Sequence, residues 1–138
     1  MRKRKKILII CFTLVFIFAG LYATTYIPKN IITIKSSEVT KIEIFDGNRG
    51  ESVTITDDTQ KQHIISNLNE IKFQKGKPSI GYLGYRFRLE IYNENSEVYK
   101  EIIINSKNKI RYKGFFYTDE FQRIDIDYLD NLFERTND

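Results

Sequence analysis

Three arginines, Arg86, Arg88 and Arg111, are the residues of this 138-residue chain whose type and spacing point most directly to chemistry. Arg86 and Arg88 alternate with Phe87 and Leu89, so a period of two places them on the polar face of a strand. Arg111, between Ile110 and Tyr112, is expected to project from a neighbouring strand on the same side. A guanidinium binds a phosphate or carboxylate through two parallel N–H···O bonds, so arginines clustered in this way would suit an anionic wall polymer or a lipid headgroup. The plainer expectation is a solvated face paired with Glu90 and Glu101, each exposed pair contributing roughly 0–1 kcal/mol. Tyr82 and Leu83, in the glycine-rich stretch before that strand, are a second candidate contact for a protein partner, because loops carried on a rigid sheet often bind. The alternative is that they fold back and cover the sheet edge.

Other chemistry-bearing residues read as structural. His63 is the only histidine and Cys11 the only cysteine, so neither has the partners that a metal or nucleophile site requires. His63 is expected as a solvated helix position whose replacement by alanine changes nothing. Cys11 follows Leu8, Ile9 and Ile10 inside an apolar run, which departs from a lipid-attachment pattern, and it can form no intrachain disulfide. Asp125, Asp127 and Asp130 sit at the start of a helical pattern, where negative charge complements the helix dipole; their spacing does not make a facing pair of catalytic carboxylates. Gly76, Gly81 and Gly84 punctuate a loop, but Gly81 is followed by Tyr82 and Leu83 rather than the Lys and Ser or Thr of a phosphate loop. No catalytic constellation, cofactor motif or metal-ligand set emerges, and the expected protein is not an enzyme.

The elements that position these residues follow from periodicity. Ile42 and Ile44 share one face of a strand, and after Asp46-Gly47-Asn48-Arg49-Gly50 the pattern resumes with Val53 and Ile55 inward, a β-hairpin. Gly47 and Gly50 are expected to supply positive φ in its loop. Asp57 with Gln60 three residues on resembles a capping box, and Ile64, Ile65, Leu68 and Ile71 then recur at helical spacing. Residues 73–84 read as the longest loop. Tyr85 to Tyr92, Val98 to Ile104 and Ile110 to Tyr112 read as a three-stranded meander, followed by the aromatic segment Gly114 to Tyr117, either a last strand or a loop covering an edge. Ile126, Leu129 and Phe133 close the chain as an amphipathic helix. The fold class is therefore α+β: one small domain with an antiparallel sheet of about five strands in ββαβββα order and helices on one face.

Everything after residue 27 is placed by what precedes it. Ile7 to Ala23 has no charge and no proline, and continuing it to Ile27 gives a helix of roughly 31 Å, enough to span a hydrocarbon core of roughly 30 Å. Five basic residues, Arg2 to Lys6, precede it, which by the positive-inside bias puts the head in the cytoplasm and the remainder outside. The expected organisation is a basic head at 1–6, a transmembrane signal anchor at 7–27, a linker at 28–38 and an extracytoplasmic domain at 39–138. A cleaved signal peptide ending near Ala23, with secretion, is the alternative; Leu21 makes its cleavage site poor. The formal charge is +4, from 22 basic and 18 acidic residues; setting aside the five in the head leaves 17 against 18, a net −1. The basic balance belongs to the membrane signal and excludes any argument for nucleic acid as partner.

In order and pattern, the Lys41 to Ile44 strand, the Val53 to Asp57 strand leading into a helix, the Arg86 to Tyr92 strand and the Tyr128-Leu129 helix resemble a family of small exported or membrane-anchored proteins of low-GC Gram-positive bacteria that have no assigned activity. The resemblance spans roughly Val39 to Glu134 and implies fold and location without adding chemistry. Two function classes follow. One is a non-enzymatic extracytoplasmic binding or accessory domain; the other is a membrane-proximal enzyme acting on wall polymer or lipid. An immunity-type protein is compatible with the size. A deep cleft with two facing carboxylates would favour the enzyme, and a convex sheet with exposed aromatics would favour the binding domain.

Overall fold

Residues Arg2–Thr24 form one α-helix, α1, in the computed structural model, which describes residues 2–134. The last four residues of the expected domain, 135–138, lie outside the described part. At 1.5 Å per residue α1 is roughly 34 Å long. It buries none of its side chains, and it is long and apolar enough to cross a membrane or to act as a signal sequence. Tyr22 and Tyr26 meet edge to face at its end, with ring centroids 5.6 Å apart.

A single antiparallel sheet makes up the rest, with strands β1 (Lys41–Asp46), β2 (Glu51–Ile55), β3 (Gln74–Pro78), β4 (Phe87–Tyr92), β5 (Val98–Ser106), β6 (Lys109–Tyr112) and β7 (Phe115–Thr118). Helix α2 (Asp58–Glu70) follows β2 and helix α3 (Ile126–Glu134) follows β7. The spatial order is β2-β1-β4-β5-β6-β7-β3. The expectation of about five strands is thus corrected to seven, in ββαβββββα order. The aromatic segment becomes β7, and part of the expected long loop becomes β3. Strand β3 has no apolar alternation because it lies at the sheet edge, paired on one side only with β7. Its lysines and terminal Pro78 are residue types that an edge tolerates.

Alternation sets the register of the central strands. Phe87, Leu89 and Ile91 of β4 are fully buried, opposite Asp46, Ile44 and Ile42 of β1. A slip of one residue would expose all of them. Helices α2 and α3 cover this same face: Ile64, Leu68 and Leu129 meet Leu89 and Ile104 along one seam, and Phe133 stacks on Phe87 at 6.0 Å. Asp57 caps α2 by accepting the Gln60 N–H at 2.9 Å. Among the described residues, the other face of the sheet carries no helix.

Two expectations about the connecting segments are corrected. Residues 28–38 are not a free linker: Ile32 and Ile34 are buried in the core, the Asn69 side chain exchanges two hydrogen bonds with the Ile34 backbone, and Lys29 pairs with Phe73. Gly50 does have positive φ, +71°, but Gly47 is required for a different reason. A Cβ there would lie 2.5 Å from the Tyr85 carbonyl oxygen, because the turn packs against the strand entrance.

Candidate functional site

The uncovered sheet face is built from the side chains that alternate with the core. One row across it runs Phe45, Arg88, Ile103, Arg111 and Phe116, each the direct partner of the next. The row beside it runs Glu43, Glu90 and Glu101. Three carboxylates directly opposite one another repel, so neighbours must offset the charge. Tyr92 donates its phenol proton toward Glu90 Oε2 at 2.9 Å and also lies 3.2 Å from Glu43 Oε2. Its pKa is pushed up to about 12, first by the hydrogen bond to Glu90, then by desolvation and the two carboxylate charges. Lys41 bonds Glu43 and holds its carboxyl below the usual range. Arg88 pairs with Glu90 at 3.5 Å and lays its guanidinium over Phe45 at 5.5 Å.

The three arginines of the sequence reading are not brought together. Arg88 alone is available on the open face, with its side chain 41% exposed. Arg111 lies on the same face two strands away, but the loop after β3 covers it: its guanidinium donates to the Tyr82 and Gly84 carbonyls and to Asn105 Oδ1. Arg86 precedes β4 and turns toward the helices, where it binds the buried Asp46 and Asp130 of α3. Tyr82 folds back edge-on over Phe116 at 4.9 Å, whereas Leu83 stays 87% exposed. The pairing of Arg88 and Arg111 with Glu90 and Glu101 is also only half realised, through Arg88 and Glu90.

His63, expected as a solvated position, instead ties the two helices. Its Nε2 lies 2.9 Å from Asp125 Oδ2 and its ring stacks on Tyr128 at 3.9 Å. Asp125 in turn accepts the Tyr128 N–H through Oδ1, capping α3. His63→Ala is therefore expected to lower stability by about 1 kcal/mol, the sum of a half-exposed hydrogen bond and a ring stack. A lower urea midpoint at unchanged slope checks this; an unchanged midpoint restores the solvated reading.

Reaction chemistry needs enclosure as well as groups. The seam between α2, α3 and the sheet encloses only about 10 Å³, lined chiefly by apolar side chains. The facing carboxylates stand on an open sheet rather than in a cleft. Among the described residues, no group of three or more His, Cys, Asp or Glu side chains is placed to hold a metal ion. Residues missed by the sequence reading are the buried acids Asp46 and Asp119 and the buried Lys61, which donates to the Val39 and Thr40 carbonyls. Asp46 ends β1 and Asp119 follows β7, both at turns, the position where an Asp side chain bonds the backbone ahead of it, and that signal is present in the sequence.

Comparison with protein-family models, with curated proteins and with solved structures finds no match. The fold and the surface define the class directly: an α+β domain on an N-terminal apolar helix, with one face of its sheet left open.

Proposed function

We propose that the chain is a single-pass membrane-anchored domain that acts outside the membrane as a binding or accessory module. The observation that carries this is the uncovered sheet face. Helices α2 and α3 pack on one side, and the other side offers Phe45, Arg88 and Ile103 beside a carboxylate row. A flat face of mixed charge with an aromatic suits a macromolecular partner, protein or anionic wall polymer, better than a small molecule held for reaction. Because Ile32 and Ile34 are buried in the core and Lys29 pairs with Phe73, the domain stands close to the end of its anchor rather than at the end of a flexible tether.

Topology and face are tested together. Protease added to intact protoplasts should remove the domain and leave the basic head protected. Mature protein beginning after Ala23 in the medium would replace the anchor with a cleaved signal. With a photo-crosslinking residue at Phe45 or Arg88 in the full chain, adducts with envelope components should form in cells, and the same residue at Gln62 on the outer face of α2 should give none. Equal labelling from both faces would sink the assignment of the open face.

A further inference from the structure

Most exposed apolar side chains of the domain lie at one edge, Val98 and Tyr99 of β5 being the exceptions among the described residues. Outside α1, the large exposed hydrophobics are Ile27, Ile80, Tyr82, Leu83, Val98, Tyr99 and Phe121. Ile80, Tyr82 and Leu83 lie in the loop leaving β3. Ile27 lies where the anchor meets the domain, and Phe121 lines a depression beside that junction with Pro28, Lys72 and Gln74 and with the acids Asp119 and Glu120. Ile80 and Leu83 are 86% and 87% exposed, in a loop whose path is otherwise pinned by Arg111 and Asn105. With Tyr82 between them in sequence they are grouped on one fixed loop, and grouped exposed apolar side chains mark contact surfaces where singly scattered ones do not.

Charge is segregated in the same way. Stretches 72–84 and 109–118 form β3, β6, β7 and the loop after β3. They contain Lys72, Lys75, Lys77, Lys109, Arg111 and Lys113 and no Asp or Glu. The carboxylate row Glu43, Glu90, Glu101 lies on the other strands of the sheet. This edge is also the one that touches the anchor: Lys75 Nζ lies 5.5 Å and 5.4 Å from the ring centroids of Tyr22 and Tyr26, and Lys29 and Phe73 exchange backbone hydrogen bonds of 2.9 and 3.1 Å. Tyrosines at the end of a span sit at headgroup level, so the β3 edge is held there too.

We infer that the β3 edge and its loop form a second membrane contact, in which Ile80 and Leu83 enter the interface while Lys72, Lys75, Lys77 and Lys113 bind anionic phospholipid headgroups of the leaflet on the domain's own side. The inference rests on the anchor reading above. Docking of this edge fixes the orientation of the domain and keeps the acidic row away from the anionic surface, leaving the open face free for its partner. The site combines the two signals that a reversible interfacial contact needs, buried apolar area and electrostatic attraction to anionic lipid.

The test uses the full chain in vesicles, with Cys11→Ser as background and single cysteines carrying an environment-sensitive fluorophore. Vesicles contain phosphatidylcholine alone or mixed with phosphatidylglycerol, with a quencher on the lipid headgroup or acyl chain. A label at Leu83→Cys or Ile80→Cys should be quenched in the anionic vesicles and much less in the zwitterionic ones. A label at Ser52→Cys, on the opposite edge strand, should not be quenched in either. Replacing Lys72, Lys75 and Lys77 by Gln should lower the docked-to-undocked ratio about fivefold for each lysine removed. If Leu83 and Ile80 behave like Ser52 in both lipids, or are quenched equally in both regardless of salt, the inference falls. The same holds if they become shielded only on addition of a protein fraction. A label at Phe16→Cys reports the anchor separately: failure of acyl-chain quenching there defeats the anchor reading instead.

Discussion

Replacing Arg86 by alanine is expected to destabilise the domain by about 3 kcal/mol, the lower end of what breaking a buried ion pair costs. Asp46 has no solvent exposure, and one of its oxygens, Oδ2, is without a hydrogen bond. Its Oδ1 accepts the N–H groups of Asn48 and Arg49 at 2.8 and 3.2 Å and lies 3.4 Å from Arg86 Nη1. Arg86 also bonds Asp130 of α3, and Arg49 stands 3.7 Å from Asp46 and 3.8 Å from Asp130. The network therefore joins the β1–β2 turn, the entrance of β4 and the last helix. Without Arg86 the buried carboxylate keeps only the turn amides and the longer contact to Arg49, which is why the expected loss is below the maximum. Urea unfolding of the detergent-solubilised full chain, followed by tyrosine fluorescence because the chain has no tryptophan, reads the change. Replacing Arg86 by Met and Asp46 by Leu together should cost less than Arg86→Ala alone, since no charge is then left buried without its partner. A single-variant loss below about 1 kcal/mol, typical of surface pairs, would show the network to be solvated.

Arg86 also marks where sequence patterning stops being informative. Alternation correctly gave the faces of β1 and β4, because Ile42, Ile44, Phe87, Leu89 and Ile91 each have a helix-covered side to face. Arg86 lies one residue before β4, where the backbone leaves the pleat and a long side chain can reach either face; a buried Asp46 drew it to the helix side. Arg111 does keep its strand phase, but burial there depends on a loop folding over it, which no period encodes. The same cover accounts for the split between Tyr82, which packs on Phe116, and its neighbour Leu83, which does not. Strand β3 was unreadable for a related reason: an edge strand needs only its hydrogen-bonding partner, and Lys75, Lys77 and Pro78 carry no apolar signal. Ile32 and Ile34 are spaced two apart and are legible in principle as a short buried run, but the proximity of Pro28 and the apolar N-terminal run makes a linker the simpler reading. The open face itself was foreseen as one wetted side of the sheet. Its carboxylate row was not, since Glu43, Glu90 and Glu101 align only once the register between three separate strands is known.

Asp119→Ala is expected to cost about 2–3 kcal/mol at neutral pH, the scale of hydrogen bonds to a charged group whose donors lose their acceptor. Asp119 follows β7, fully buried, and accepts the N–H groups of Phe121 at 3.2 Å and Arg123 at 2.6 Å, while the Arg123 guanidinium bonds it at 2.8 Å. The clasp holds Gln122 at φ 54°, a conformation that needs outside support in a residue other than glycine, and it delivers Ile124 to the core just ahead of α3. Burial alone would raise the pKa of this carboxyl, but the Arg123 side chain and the two backbone donors more than offset that, and the net shift is downward. A carboxyl whose folded pKa lies below its unfolded value of about 3.9 contributes stability that is present above the unfolded value and is lost as pH falls through the folded one. The stability gap between the parent chain and Asp119→Asn should therefore be constant from neutral pH down to about pH 5 and shrink below about pH 4. Urea midpoints measured across that range decide it. A gap that persists unchanged into strong acid would mean that the clasp works through the shape of its turn alone, and that the Arg123 charge contributes nothing to holding the strand end in place.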